Sequence, residues 1–510
     1  MADAPRVEVV DRRPSQVRAD VLALPFREGT KAGAGVADVS RALRADLTAT
    51  LRRRGWRGRS GDVLSIPTLG RLPAETVVVV GMGGGAERSA GAVRDAAVTV
   101  ARALEGARSV ATTIPQEGDD AGAGAEAFVE GLLLGGYRFD RYRHDPVAPD
   151  DAAPWRVRRV TLLTPPSDRA AAREGAARGL VLAQAANWAR DLVNTPSGDA
   201  TPEAMAEEAR AMAAGLGIRS RVWNRARIER EGFGGVLGVG RGSSREPRVV
   251  ELEYGAGGAA RPIALTGKGI TYDSGGLALK ELDELEWMKS DMAGAASVMA
   301  AFRAVAELGV EANLIAALPF ADNMTGANAL HPGDVITHRG GRTSEVVDPD
   351  CEGRLVVADT LAYLCERRPV AVVDAATLTD AGGLGDGLWA VLGTDRDVVD
   401  ELLDAGEAGG DPGWELPLTE DYNELLRSSV ADIRNSPTEG ADTTGMAALY
   451  LRAFVGDVPW AHIDIGSTAW MERETSRWPK GATGSPARVF ARWIAARVAR
   501  DGDAPSGATA

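Results

Sequence analysis

Short apolar runs alternate with helical patterns along most of the chain. VLALPF (21–26) and TVVVVGMG (76–83) are continuous enough to be strands buried on both faces. The segment 92–105, AVRDAAVTVARALE, returns its apolar residues at helical spacing. Together they predict βαβ units and an open α/β sheet in the first part of the chain. Polar, Pro- and Gly-rich stretches at 115–124 and 145–154 predict loops, and the second, DPVAPDDAAP, is the expected domain boundary.

A long helix is predicted over about 168–191. Asp199 or Thr201 then opens the next helix, with Pro202 near its first position. VVELEY (249–254), PIALTGKG (262–269), NLIAALPF (313–320), AVVDAATL (371–378) and WAHIDIG (460–466) predict strands, and 292–309 predicts a helix. The second part is therefore also α/β. The last ten residues, DGDAPSGATA, predict a disordered tail.

Composition narrows the function classes. The formal net charge is −14, so no nucleic-acid partner is expected, because phosphate contacts need clustered positive charge. No run of about 18 apolar residues occurs, which predicts no membrane span. The start of the sequence shows no signal-peptide pattern, and the two cysteines, Cys351 and Cys365, form no disulfide framework. A cytoplasmic location is expected.

The inventory of reactive residues excludes more. GMGGGA (81–86) follows a strand, yet no helix opens at its last residue, so a plain Gly-rich turn is expected rather than a dinucleotide site. Four histidines, with no HExxH and no paired Cys motif, exclude a His-rich zinc site. No GxSxG elbow supports a serine hydrolase, and Ser274 has no local base.

Lysine is the informative residue. The 58 basic residues include only five lysines, and Lys268, Lys280 and Lys289 lie within one short stretch. Arg and Lys are interchangeable on a solvated surface, but only Lys can be pushed neutral. Carboxylates gather around the same stretch. Asp273 follows Lys268 in GKGITYDSGG, where Gly275 and Gly276 let backbone approach closely. Asp291 precedes a helix whose first residues are small. Asp350 and Glu352, in DPDCEGRL, point the same way if that segment is extended or irregular. Singly, Asp291 reads as an N-cap and the other pair as a solvated loop. Together, the four carboxylates balance two divalent cations, with a neutral lysine as a nitrogen ligand. Lys280, remaining charged, would polarise a scissile carbonyl.

At these residues the chain resembles the leucyl aminopeptidase family, the M17 metallopeptidases. The resemblance rests on GKGITYDSGGLALK (267–280), MKSDMAGAA (288–296) and CEGRL (351–355), with weaker similarity at YRFDRYR (137–143), ARDLVNTP (189–196), HPGDVI (331–336), AATLT (375–379), VADIRNS (430–436) and WAHIDIGSTAW (460–470). It implies an N-terminal macro-like α/β domain (1–160), a C-terminal zinc-peptidase-like α/β/α sandwich (161–500) and a tail (501–510). It implies a peptide substrate with a free N-terminus, two divalent metal ions, Zn²⁺ or Mn²⁺, and a homohexamer of two trimers. Lys268, Asp273, Asp291, Asp350 and Glu352 would bind the metals, Asp273 and Glu352 bridging them and Asp350 adding its backbone carbonyl. Lys280 would polarise the carbonyl, and Arg354 would hold a bicarbonate ion acting as general base.

Two departures concern the substrate pocket. The family signature begins Asn-Thr-Asp-Ala-Glu, where this chain has Asp348, Pro349, Asp350, Cys351 and Glu352. Thr-Leu-Thr-Gly becomes Thr377, Leu378, Thr379, Asp380. With Met288, Asp348, Thr377, Leu378 and Asp380 expected near the pocket, an altered preference at the first substrate residue is the expectation, toward a basic residue or a narrower set. Two alternative functions accompany the resemblance: a dedicated biosynthetic peptidase or amidase, and a non-catalytic hexameric scaffold or DNA-binding regulator.

Overall fold

The computed structural model describes residues 4–84, 89–104, 106–144, 155–255, 261–437, 443–475 and 477–503. The chain divides into two compact units, Met1–Asn187 with Arg473–Lys480, and Trp188–Glu472 with Gly481–Ala510. The division falls inside the long helix Arg169–Asn194. The boundary expected from the sequence lies near 160. The stretch 145–154 on which it rests lies outside the described residues, as do 504–510 of the expected tail.

The first unit is built on a seven-stranded sheet. Its order is Arg6–Val10, Arg159–Leu163, Ser109–Thr112, Val21–Arg27, Thr76–Gly81 and Val63–Pro67, with Lys31–Ala32 added beside Val21–Arg27. Neighbours are parallel except for Val63–Pro67 and Lys31–Ala32. Val77 and Val79 pack with Val39 and Leu51 on one face, while Val78 and Val80 pack with Ala97 and Phe128 on the other. Helices therefore cover both faces, which explains the unbroken valine run.

The predicted loop at 115–124 is a 3-10 turn, Ile114–Glu117, and then the start of a helix, Ala121–Gly135. Glycines in AGAGAEAF read as a loop signal, but Gly124 is required by close packing. A Cβ there would meet Pro115 O at 2.1 Å. After the Gly-rich turn at 81–84, the next helix begins only at Ala90, capped by Ser89.

The second unit holds a nine-stranded sheet. Its order is Gly413–Glu415, Trp389–Gly393, Trp460–Asp464, Ala371–Ala376, Ile263–Gly267, Leu314–Asn323, Arg248–Tyr254 and Arg219–Trp223, and Gly269–Asp273 also pairs with Leu314–Asn323. The four central strands run parallel, and the antiparallel pairings lie outside them. Ala264, Ala317 and Val372 pack against Leu355, Ala358 and Leu361 of the helix Gly353–Cys365. The alternate residues Leu265, Ala316 and Val373 are equally buried, so this sheet too is covered on both faces. The predicted strands and helices of this unit are all present, and Thr201 is the N-cap of Pro202–Gly215. Among the described residues, no helix is long and apolar enough to cross a membrane.

Candidate active site

The site lies where the central parallel strands end. Lys268 sits between the strands Ile263–Gly267 and Gly269–Asp273, held by its backbone: its N–H donates to Ala375 O (3.0 Å) and its carbonyl accepts from Ala295 N (2.9 Å). The helix Ala293–Glu307 can start this close only because its first residues are small. A Cβ on Gly294 would stand 2.1 Å from Ala375 O. The 3-10 turn Met288–Met292 just before it carries Asp291 inward.

Asp273 ends its strand, and Gly275 and Gly276, at φ +83° and +61°, turn the chain back so that Lys280 faces it. Asp350 and Glu352 converge with Asp273: one ligand oxygen from each lies within 4.8 Å of the others. The segment that carries Asp350 and Glu352 is irregular rather than extended. Glu352 is helical (φ −77°, ψ −32°) and caps the helix Gly353–Cys365, and a tight turn at Asp348–Cys351 brings Asp350 alongside it.

The ammonium groups thread the carboxylates. Lys268 Nζ lies 2.7 Å from Asp291 Oδ1 and 2.8 Å from Glu352 Oε1, and donates to Thr377 O at 3.0 Å. Lys280 Nζ lies 3.1 Å from Asp273 Oδ2 and 2.6 Å from Asp350 Oδ1. Lys289, the third lysine of the stretch, belongs elsewhere: it donates to Asn194 O and lies over the Trp470 ring.

Burial opposes the charge on both site lysines, but the surrounding carboxylates more than offset it. Asp291, Glu352 and Asp273 raise Lys268, while Asp273, Glu352 and Asp350 raise Lys280. Burial also pushes the acids up, reinforced by mutual repulsion. Asp350 is pushed up to about 7, and Asp291 and Glu352 are raised as well. The cluster has more negative charge than its two lysines neutralise.

The donor set fits divalent cations. Asp291 Oδ2 is buried with no hydrogen-bond partner, and Asp350 Oδ1 and Glu352 Oε1 are met by the ammonium groups of Lys280 (2.6 Å) and Lys268 (2.8 Å). Buried carboxylate oxygens left without donors are costly unless a cation meets them.

Arg354 is buried and donates from Nη1 to Asn435 O at 2.6 Å. Asn435 and Asn323, which sequence reasoning did not place at the site, hydrogen-bond to the segments that carry the acids. Asn435 accepts from Val347 N and donates to Asp348 O (2.6 Å), clamping the turn that carries Asp350. Asn323 reaches Asp273, and its segment ADNMTG was not singled out.

Of the expected pocket residues, Met288 is buried, Thr377 Oγ1 donates to Asp291 Oδ1 (2.6 Å), and Leu378 faces Gly353. The two added carboxylates each cap their own loop. Asp348 Oδ1 accepts from Asp350 N (2.9 Å), and the exposed Asp380 accepts from Gly382 N (3.1 Å). A second arrangement deserves exclusion. His338 joins Asp359 (2.9 Å) and Ser344 (3.1 Å), but all three are buried beyond the reach of a substrate, so they form no nucleophilic triad.

Comparison with known proteins agrees with this geometry. The sequence model of the cytosol aminopeptidase family catalytic domain matches residues 187–491, and that of the family's N-terminal domain matches 23–146. The chain is 39% identical to a probable cytosol aminopeptidase of Geobacter sulfurreducens over 91% of this chain and 93% of the relative. It is 38% identical to one of Roseiflexus castenholzii over 95% and 98%. Among solved structures, the bottromycin maturation enzyme BotP in complex with Mn superposes with a TM-score of 0.82 at 36% identity, covering 94% of this chain and 100% of BotP. A tomato leucine aminopeptidase variant gives 0.85 at 26%, covering 97% and 98%. The paired lysines, the four converging acids and the match along nearly the whole chain have one reading: this chain belongs to the cytosol aminopeptidase family, M17, and is a leucyl aminopeptidase-like metallo-aminopeptidase.

Proposed function

We propose that the enzyme removes the N-terminal residue from peptides at a dinuclear metal centre that Lys268, Asp273, Asp291, Asp350 and Glu352 would hold. The observation that carries this reading is the buried, donor-poor face of the acid cluster. When bound, the two cations supply a water activated for attack at neutral pH. Zn²⁺ or Mn²⁺ suits these carboxylate and amine donors, and the likeness to the Mn complex of BotP supports Mn²⁺. To offer its lone pair, Lys268 must release the proton that the acids now favour, so metal uptake is coupled to proton release.

The remaining side chains position and polarise. Lys280, half-buried between Asp273 and Asp350, is aimed to stabilise charge developing on the carbonyl oxygen. Arg354 would hold a bicarbonate ion, which supplies a general base. Thr377 restrains Asp291 through its hydroxyl. A homohexamer and a cytoplasmic location are part of the same reading, supported by membership of a family of cytosol aminopeptidases.

The test is hydrolysis of a dipeptide panel whose first residues are apolar, basic, acidic or glycine, with added Mn²⁺ or Zn²⁺. Activity is expected to vanish with chelator, and Lys280→Ala is expected to lower kcat by roughly 10²–10³, the effect of removing one oxyanion donor. Chelator-resistant turnover would sink the metal reading. A second reading is a dedicated peptidase or amidase with a narrow substrate. It is supported by the likeness to BotP and by Asp348 and Asp380 at the pocket loops. Two bound metals with no turnover of any dipeptide would favour it.

A further inference from the structure

We infer that Asn323 is a positioning residue of the metal centre: its amide occupies the outward oxygens of Asp273 and Glu352 and so fixes which carboxylate oxygens face inward. The inference rests on the dinuclear reading above. Asn323 closes the strand Leu314–Asn323, in register with Asp273 on the neighbouring strand, and is 4% exposed.

Its Nδ2 meets three oxygens on two segments: Asp273 Oδ1 at 2.8 Å, Pro349 O at 3.1 Å and Glu352 Oε2 at 3.4 Å. Asp273 Oδ1 also accepts from Gly275 N at 2.8 Å. That oxygen is therefore committed to N–H donors. The other oxygen of each acid, Asp273 Oδ2 and Glu352 Oε1, is the one that faces a lysine. The amide orientation is settled by chemistry, since three acceptors surround one atom and only NH₂ can serve them. Its backbone carbonyl binds Ser274 twice, through N (2.9 Å) and Oγ (2.8 Å), which anchors the turn after Asp273.

Charge explains why an amide stands here. A lysine or arginine would compete with the metal ions, and a further carboxylate would add to acids that burial already pushes up. Asn supplies donors without changing the charge balance. Outer partners of this kind orient ligands and typically change metal affinity 10- to 100-fold when removed.

The experiment is a calorimetric Mn²⁺ titration of the full chain after dialysis against chelator, comparing the native chain with Asn323→Leu, alongside dipeptide kinetics at saturating Mn²⁺. The native chain is expected to take two ions. The variant is expected to lose 10- to 100-fold in affinity for at least one, with kcat falling and KM little changed. A merely structural residue would lower the melting temperature of the chelator-treated chain and leave affinity alone. Asn323→Ala, which removes the amide without adding apolar bulk, carries the same expectation if the leucine variant does not fold. Native affinity for both ions in the folded variant overturns the inference and leaves the dinuclear reading standing. Absence of Mn²⁺ binding by the native chain removes both.

Discussion

Gly353 separates Glu352 from Arg354, and the structure gives a quantitative reason for a glycine there. A Cβ at this position would fall 2.5 Å from Lys268 Cε, 2.6 Å from Lys268 Cδ and 2.8 Å from Leu378 Cδ2. Ordinary contact begins near 3.4 Å, so the lysine stem must retreat by about 0.9 Å. A flexible lysine elsewhere would simply swing away. Here Nζ is fixed by Asp291, Glu352 and Thr377 O, and the stem is 4% exposed. Misplacing a reacting or ligating group by about 1 Å costs on the order of 100-fold in rate. The backbone itself does not object: Gly353 opens a helix, where alanine is favoured over glycine by up to about 1 kcal/mol. Gly353→Ala is therefore expected to fold, with a melting temperature within a few degrees of the native chain, and to lose roughly 100-fold in kcat. The assay is dipeptide turnover at saturating Mn²⁺, paired with circular dichroism on the same samples. A folded variant with kcat within about threefold of native would refute the claim that Lys268 is held too tightly to yield.

Two further predictions follow from hydrogen bonds away from that contact. His462 lies 2.6 Å from Asp374 across adjacent strands, fully buried; burial disfavours its charge, but Asp374 and Asp464 more than offset this and raise its pKa above 6.5. A raised pKa contributes stability that is complete below about pH 6.5 and fades as pH climbs through the folded value. The melting temperature of the native chain is thus expected to fall more steeply above pH 6.5 than that of His462→Gln, and parallel curves would count against a charged imidazole. At the pocket loop, Asp348→Asn keeps the acceptor for Asp350 N–H and is expected to leave both kcat and the preference for the first residue unchanged. Asp348→Ala frees the turn, removing a bond worth about 1 kcal/mol and lowering kcat several-fold. A shift of preference in the Asn variant would show that the charge, rather than the turn, is what matters.

The sequence exposes those parts of the site whose residue types are scarce or chemically distinctive. Lysine is rare in this chain, so Lys268 and Lys280 stand out, and acids at short spacing beside them point to cations. Asn323 and Asn435 carry no such signal. An asparagine looks the same in a loop as in a hydrogen-bond clamp, and only the fold shows that each serves several acceptors or donors. The convergence of Asp350 and Glu352 is legible from their spacing, because a turn followed by a helix start can bring two nearby acids together as an extended segment does. Buried strands such as Thr76–Gly81 are legible because both of their faces are apolar. Ala121–Gly135 is partly hidden, because its Gly124 answers to contacts with Pro115 and Gly118, which no local pattern encodes.

The scarcity of lysine also makes the surface chemically sparse. An amine-acylating reagent meets exposed side-chain amines at Lys31 and Lys480, while Lys289 is half-buried and Lys268 and Lys280 lie inside the acid cluster. Covalent labels or surface attachment through amines thereby fall first on Lys31 and Lys480. The same reagent, followed by peptide mapping, turns the slow acylation of Lys268 and Lys280 into a direct report on how closely the cluster is shut.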